Sequence, residues 1–218
     1  MKRPVLLLVA LALALALALA LAFASYAGAG AGAIEADRTT ASPTRSQSVL
    51  RYLPDGHVAF PKAYREWTYV TSGADMTYSP GGMAMDHHMI DNDFVNPDAY
   101  RAFESTGRWP DGTVFAREDR EARTKGSIAR GGLFQTESLE GVELHVKDSS
   151  RFKGGWAFFA FGNHDLAPAI PASASCYTCH SSHGAVDTTF VQFYPTLISV
   201  AKAHRTLSAA YLRETRAP

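Results

Sequence analysis

Cys176-Tyr177-Thr178-Cys179-His180 uses both cysteines of a 218-residue chain and places a histidine directly after the second. Thiols three positions apart stand about one helical turn from each other. C-x-x-C-H is the attachment signal for c-type haem. Each sulfur can add to one vinyl group, and the following imidazole then lies under the iron as proximal ligand. The same thiols could close a disulfide in an oxidising compartment, or form half of a zinc site. A disulfide has no use for the histidine, and zinc needs further ligands that are less well grouped here. The motif therefore assigns Cys176 and Cys179 to haem c, one covalently bound group, and His180 to its metal.

Other residues have the right chemistry in a less telling arrangement. Met83-Ala84-Met85-Asp86-His87-His88-Met89 offers thioethers and imidazoles that could bind iron or copper. Pro80-Gly81-Gly82 just before it reads as a surface loop. His183 follows His180 by three positions, so a helix puts both on one face. It cannot reach the opposite side of an iron held by His180. His145 and His164 read as core or surface residues. Trp156, Phe158, Phe159 and Phe161 form the best apolar wall for a large flat group, and equally an ordinary sheet core.

The elements that must position these groups follow from pattern. Strands are predicted over 64–71, 90–95, 113–118, 133–136, 142–147 and 156–161, from β-branched and aromatic residues bounded by turn signals. The last is nearly all apolar, which places it at the centre of a sheet. Asn96, Pro97 and Gly107 punctuate a helix with Tyr100 and Phe103 on its buried side. The C-terminal part reads as helical: 176–183 closed by Gly184, then a second segment capped by Asp187 and interrupted at Pro195. Strands between helical ends give an α+β fold.

Met1-Lys2-Arg3-Pro4, an uncharged Leu/Ala stretch from Val5 to Ala24 and small residues from Ala27 to Ala33 make residues 1–33 a signal peptide or an N-terminal membrane anchor. The rest of the chain is then periplasmic or otherwise exported. Residues 34–48 read as a linker and 49–218 as one mono-haem domain. Lysine and arginine balance aspartate and glutamate at 21 each. No basic stripe suggests a nucleic-acid partner.

Several segments in order carry a resemblance. Pro61–Trp67, Val95–Tyr100, Gly107–Val114, Val146–Phe152, Trp156–Phe159, the haem motif and Phe190–Pro195 make the chain similar to the cytochrome P-460 family, which includes cytochrome c′-beta. The resemblance implies a mainly antiparallel sheet flanked by helices, with a haem-bearing C-terminal helical segment, usually as a homodimer. It implies one c-type haem with an open sixth position, a small gaseous or nitrogen-oxide ligand such as nitric oxide, and a redox partner cytochrome. Some members oxidise hydroxylamine, and in these a lysine is bonded to the haem edge. The matching position here is Arg117, whose guanidinium stays protonated and is a poor nucleophile. Those members also carry a distal carboxylate that relays protons, matched by Glu143. Glu143 alternates with Val142 and Leu144, so it faces either the haem or water. Thr113, Phe115 and Arg117 share one face of their strand. If Arg117 points at the haem, Phe115 caps the ligand position; otherwise Phe115 is core and Arg117 a surface cation. Simple electron transfer, with a methionine or histidine of residues 83–89 on iron, is a further reading.

Overall fold

Five strands hydrogen-bond in the order in which the chain makes them. The computed structural model describes residues 49–78 and 87–216. In it, β2 (Thr68–Ala74), β3 (His88–Val95), β4 (Val114–Arg123), β5 (Phe134–Lys147) and β6 (Trp156–Ala160) form one antiparallel meander. A separate antiparallel pair joins β1 (Val58–Ala59) to β7 (Leu166–Ala167). The helices are α1 (Pro97–Thr106), α2 (Ser175–His183), α3 (Ile198–His204) and α4 (Ala209–Glu214). The fold is α+β with a mainly antiparallel sheet.

Alternation along the strands builds a core on each face. Val114, Ala116, Val142, Leu144, Val146, Ala157 and Phe159 point to one side, where Leu50, Val58, Tyr64 and Ala167 cover them. Phe115 and Trp156 point to the other and meet Ala99, Phe103, Leu197 and Ala201 from α1 and the α3 region. The helices thus pack on one face, and residues 50–64 with β7 close the other.

Helix α1 is punctuated as its sequence implies. Pro97 stands in its first turn, and Gly107 ends it at φ 66°, a left-handed conformation with its N–H on the Phe103 carbonyl at 2.7 Å. Asn96 does not cap with its side chain. Its Oδ1 accepts from the Val114 N–H at 2.8 Å and its Nδ2 donates to the Gly112 carbonyl, tying the helix to β4 instead.

Four expectations change. Tyr64–Glu66 is a 3₁₀ turn rather than the start of a strand. The segments 133–136 and 142–147 belong to one 14-residue strand, β5. Its outer half alternates between half-buried and exposed residues and has none in the core before Val142. β6 is an edge strand, not a central one. It reads as apolar because both its faces are covered, Phe158 and Trp156 on one side and Phe159 and Ala157 on the other. Asp187 caps no helix: it sits in a tight turn at φ 52°, and the segment after it makes only a 3₁₀ turn, Val191–Phe193.

Candidate functional site

Helix α2 presents both cysteines as free thiols. None of its residues is fully buried, and Tyr177 anchors it to the sheet. The Tyr177 hydroxyl donates to the Ile170 carbonyl at 2.9 Å and accepts from the Phe158 N–H of β6 at 3.3 Å. His183, on the same helix, turns instead toward Glu214 of α4 at 3.2 Å.

His180 is fixed by one bond. Its Nδ1 lies 2.8 Å from the Thr188 carbonyl. A carbonyl can only accept, so Nδ1 carries the hydrogen and Nε2 holds the lone pair. Among the described residues Nε2 has no hydrogen-bond partner. The ring packs against Phe190 (centroids 4.2 Å), Phe158 (4.7 Å) and His145 (5.0 Å). Burial lowers its pKa, with the Arg117 charge acting in the same direction and the Thr188 bond opposing, so the imidazole is neutral and ready to act as a ligand.

The imidazole opens onto a cleft of ≈ 250 Å³. Strand register explains its wall. Phe115 of β4 pairs with His145 of β5, which pairs with Phe158 of β6. Two residues along, on the same face, Asp93 of β3 pairs with Arg117 of β4, which pairs with Glu143 of β5. An aromatic row therefore gives way to a charged row within one step of the pleat. Phe190, Phe193, Tyr194 and Tyr78 also line it. Phe115, Arg117, Glu143 and His180 thus meet in one cavity. Glu143 points away from the core that holds Val142 and Leu144 and stands at the cleft's rim, partly enclosed and partly open to solvent.

The charged row is acidic around one cation. Arg117 Nε and Nη2 lie 3.0 and 2.9 Å from Asp119 Oδ1, and Nη2 is 3.8 Å from Asp91. Burial works against its charge, but Asp119, Asp91 and Asp93 outweigh it and hold the guanidinium more firmly protonated than usual. Asp93 carries the largest carboxyl displacement. Burial, reinforced by Asp91, Asp119 and Glu143 and opposed by Arg117, lifts it from 3.8 to about 7. Burial also raises Asp119 and Glu143. Arg117, Asp91 and Glu143 also line a second cleft of ≈ 420 Å³ with Asp119 and Glu140, so the row stands between two openings.

Other candidates lie elsewhere. Met83 and Met85 fall outside the described residues. His88 pairs with Asp75 at 2.7 Å, and both His87 and His88 border a depression beside Lys125 at the far end of β4. Met89 faces the second cleft. His164 is exposed in the β6–β7 turn. Phe159 and Phe161 belong to the core on the other side of the sheet. Glu118 also points to that side, where it accepts from Tyr64, Arg65, Asn92 and Arg120.

Sequence reasoning missed Asp91, Asp93, Thr188 and the place of His145. The two aspartates had a readable signal, because a period of two puts them on one strand face. Thr188 had none: its role is a backbone carbonyl brought to His180 by a turn.

The chain also matches a family model. The one described as Cytochrome P460 covers residues 61–191, more than half of the chain and nearly all of the sheet and cleft. No curated protein matches.

Proposed function

Because the chain belongs to the cytochrome P460 family and is thereby a haem cytochrome, we propose that it is an exported mono-haem protein that binds a small nitrogen-oxide or diatomic ligand, nitric oxide foremost. Cys176 and Cys179 would hold the porphyrin covalently, and His180 Nε2 would bind its iron. A haem held by these residues would supply a redox-active metal able to bind a small ligand.

One observation carries this reading. A neutral imidazole, its Nδ1 tied to a carbonyl and its Nε2 unengaged, follows two free thiols on one helical turn and opens onto an aromatic cleft. The donor set fits haem c: soft thiols for the vinyl groups, an imidazole for iron and flat apolar rings for the macrocycle. Phe115 restricts the ligand space to small molecules. Arg117 keeps its charge but is held by Asp119, so it orients the charged row rather than swinging freely to a ligand. The N-terminal segment directs the protein to the periplasm, as a soluble or membrane-anchored form, where a redox partner cytochrome exchanges electrons with it. A homodimer is the expected assembly.

The test is an optical spectrum of the mature ferrous protein with and without carbon monoxide. Uptake of carbon monoxide supports the reading; a six-coordinate spectrum that carbon monoxide leaves unchanged refutes the open site.

A second reading, hydroxylamine oxidation, is favoured by the carboxyls around Arg117. Asp93 and Glu143, both raised, are suited to accept protons from an N–H or O–H group in the cleft. Against it, position 117 offers no amine, and Lys125 lies at the opposite end of β4. Peptide mapping that finds only the two cysteines attached to haem, with no turnover of hydroxylamine, removes this reading.

A further inference from the structure

Three alternate residues of β5, Glu143, His145 and Lys147, point to the α2 side of the sheet. Glu143 lines the cleft; the other two grip a single turn. Lys147 Nζ donates to Asp187 Oδ2 at 2.8 Å and to the Trp109 carbonyl at 2.8 Å. His145 Nε2 lies 3.2 Å from Thr188 Oγ1. The next residue is held as well: Trp109 Nε1 donates to Thr189 Oγ1 at 2.9 Å, and that hydroxyl donates to the Val186 carbonyl. The turn they fix contains Asp187 at φ 52°, a left-handed conformation uncommon outside glycine. Such a conformation persists when its surroundings over-determine it.

What this turn delivers is one acceptor, the Thr188 carbonyl 2.8 Å from His180 Nδ1. His145 is buried and stacks on Phe158 with centroids 4.1 Å apart and planes 8° from parallel. It therefore has little freedom to release Thr188.

We propose that His145 is a positioning residue for the proximal imidazole, acting through the Thr188 hydroxyl to hold the Thr188 carbonyl on His180 Nδ1. The inference rests on the reading of His180 as the haem ligand. A firm Nδ1–H···O=C bond makes the ring a stronger donor through Nε2, and partners of this kind shift metal affinity or activity by 10–100-fold when removed. A stronger donor favours the oxidised metal, so His145 and Thr188 hold the reduction potential down.

The experiment uses the full-length haem-loaded protein and three variants. Thr188→Val keeps the shape and removes the hydroxyl, Thr188→Ser keeps the hydroxyl, and His145→Phe keeps the stacking and removes the nitrogen. Two quantities are read: the reduced-to-oxidised ratio at a fixed applied potential, and the exchange rate of the His180 Nδ1 proton by NMR. In Thr188→Val and His145→Phe the ratio should rise about tenfold, ~59 mV for one electron, and the proton should exchange faster. Thr188→Ser should track the wild type in both. Ratios within about twofold of wild type in Thr188→Val, with haem content intact, overturn the proposal. If His145→Phe does not fold, the Thr188 pair decides alone. A wild-type protein that matures without haem overturns the underlying reading of His180, and this inference with it.

Discussion

Asp93→Asn is the perturbation with the clearest physical sign. The carboxyl moves from 3.8 to about 7 on folding, because burial and three neighbouring carboxylates disfavour its charge more than Arg117 favours it. The native state thus holds this proton more tightly than the unfolded chain does. Its contribution to stability is complete below about 3.8, and it is lost as the pH rises through about 7. At ~1.4 kcal/mol per tenfold change in acidity, the full loss amounts to at most roughly 4 kcal/mol. Asparagine keeps the shape and cannot ionise. Urea unfolding of the haem-loaded wild type and variant, measured from about pH 4 to about pH 9, should therefore give curves that diverge in favour of the variant. Most of the divergence should fall between about pH 4 and pH 8, following the two acidities. Asp119 and Glu143, also raised, remain in both proteins, so the difference between the curves reports Asp93 together with its coupling to these two carboxyls. Curves that stay parallel to within ~0.5 kcal/mol across that range, about the effect of a neutral surface substitution, refute the reasoning and make Asp93 an ordinary solvated carboxylate.

Other substitutions separate the site from the scaffold. Cys176→Ser with Cys179→Ser should abolish haem that survives denaturing electrophoresis, read by haem staining, while His180→Ala should keep the covalent link and alter the optical spectrum. Trp109 is buried, stacks on Phe103 at 4.0 Å and bonds Thr189, so Trp109→Ala should cost about 3–5 kcal/mol in urea unfolding. Tyr64→Phe removes a 2.5 Å bond to buried Glu118 on the far side of the sheet. It should cost about 1–3 kcal/mol and leave the spectrum and carbon monoxide uptake of the ferrous protein unchanged. Phe115→Ala enlarges the cleft beside Arg117 and should speed ligand association, seen by flash photolysis of the carbon monoxide complex.

Local chemistry was legible where it depends on neighbours in sequence. The thiols and imidazole of 176–180 are joined by helical spacing, and α2 forms where that spacing requires it. Pro97 and Gly107 bound α1 because proline fits a first turn and glycine takes positive φ whatever surrounds them. Alternation alone puts Phe115 and Arg117 on one face of their strand. Misreadings came where the environment overrides the pattern. β6 looks central because an edge strand covered on both faces buries the same residues as a central one. Asp187 resembles a helix cap, yet Lys147, forty residues away, takes its carboxylate.

By itself, then, the order of residues determined the helical spacing of the two thiols and the imidazole, the α+β class and the single-face pairing of Phe115 with Arg117, since each depends on spacings of two to four residues. Only the tertiary structure decided which face of β4 meets His180, that Asp93 and Glu143 flank Arg117 across three strands, and that a turn gripped from β5 presents its carbonyl to the imidazole. Those relations depend on strand register and burial, and both arise from contacts between residues distant in the chain.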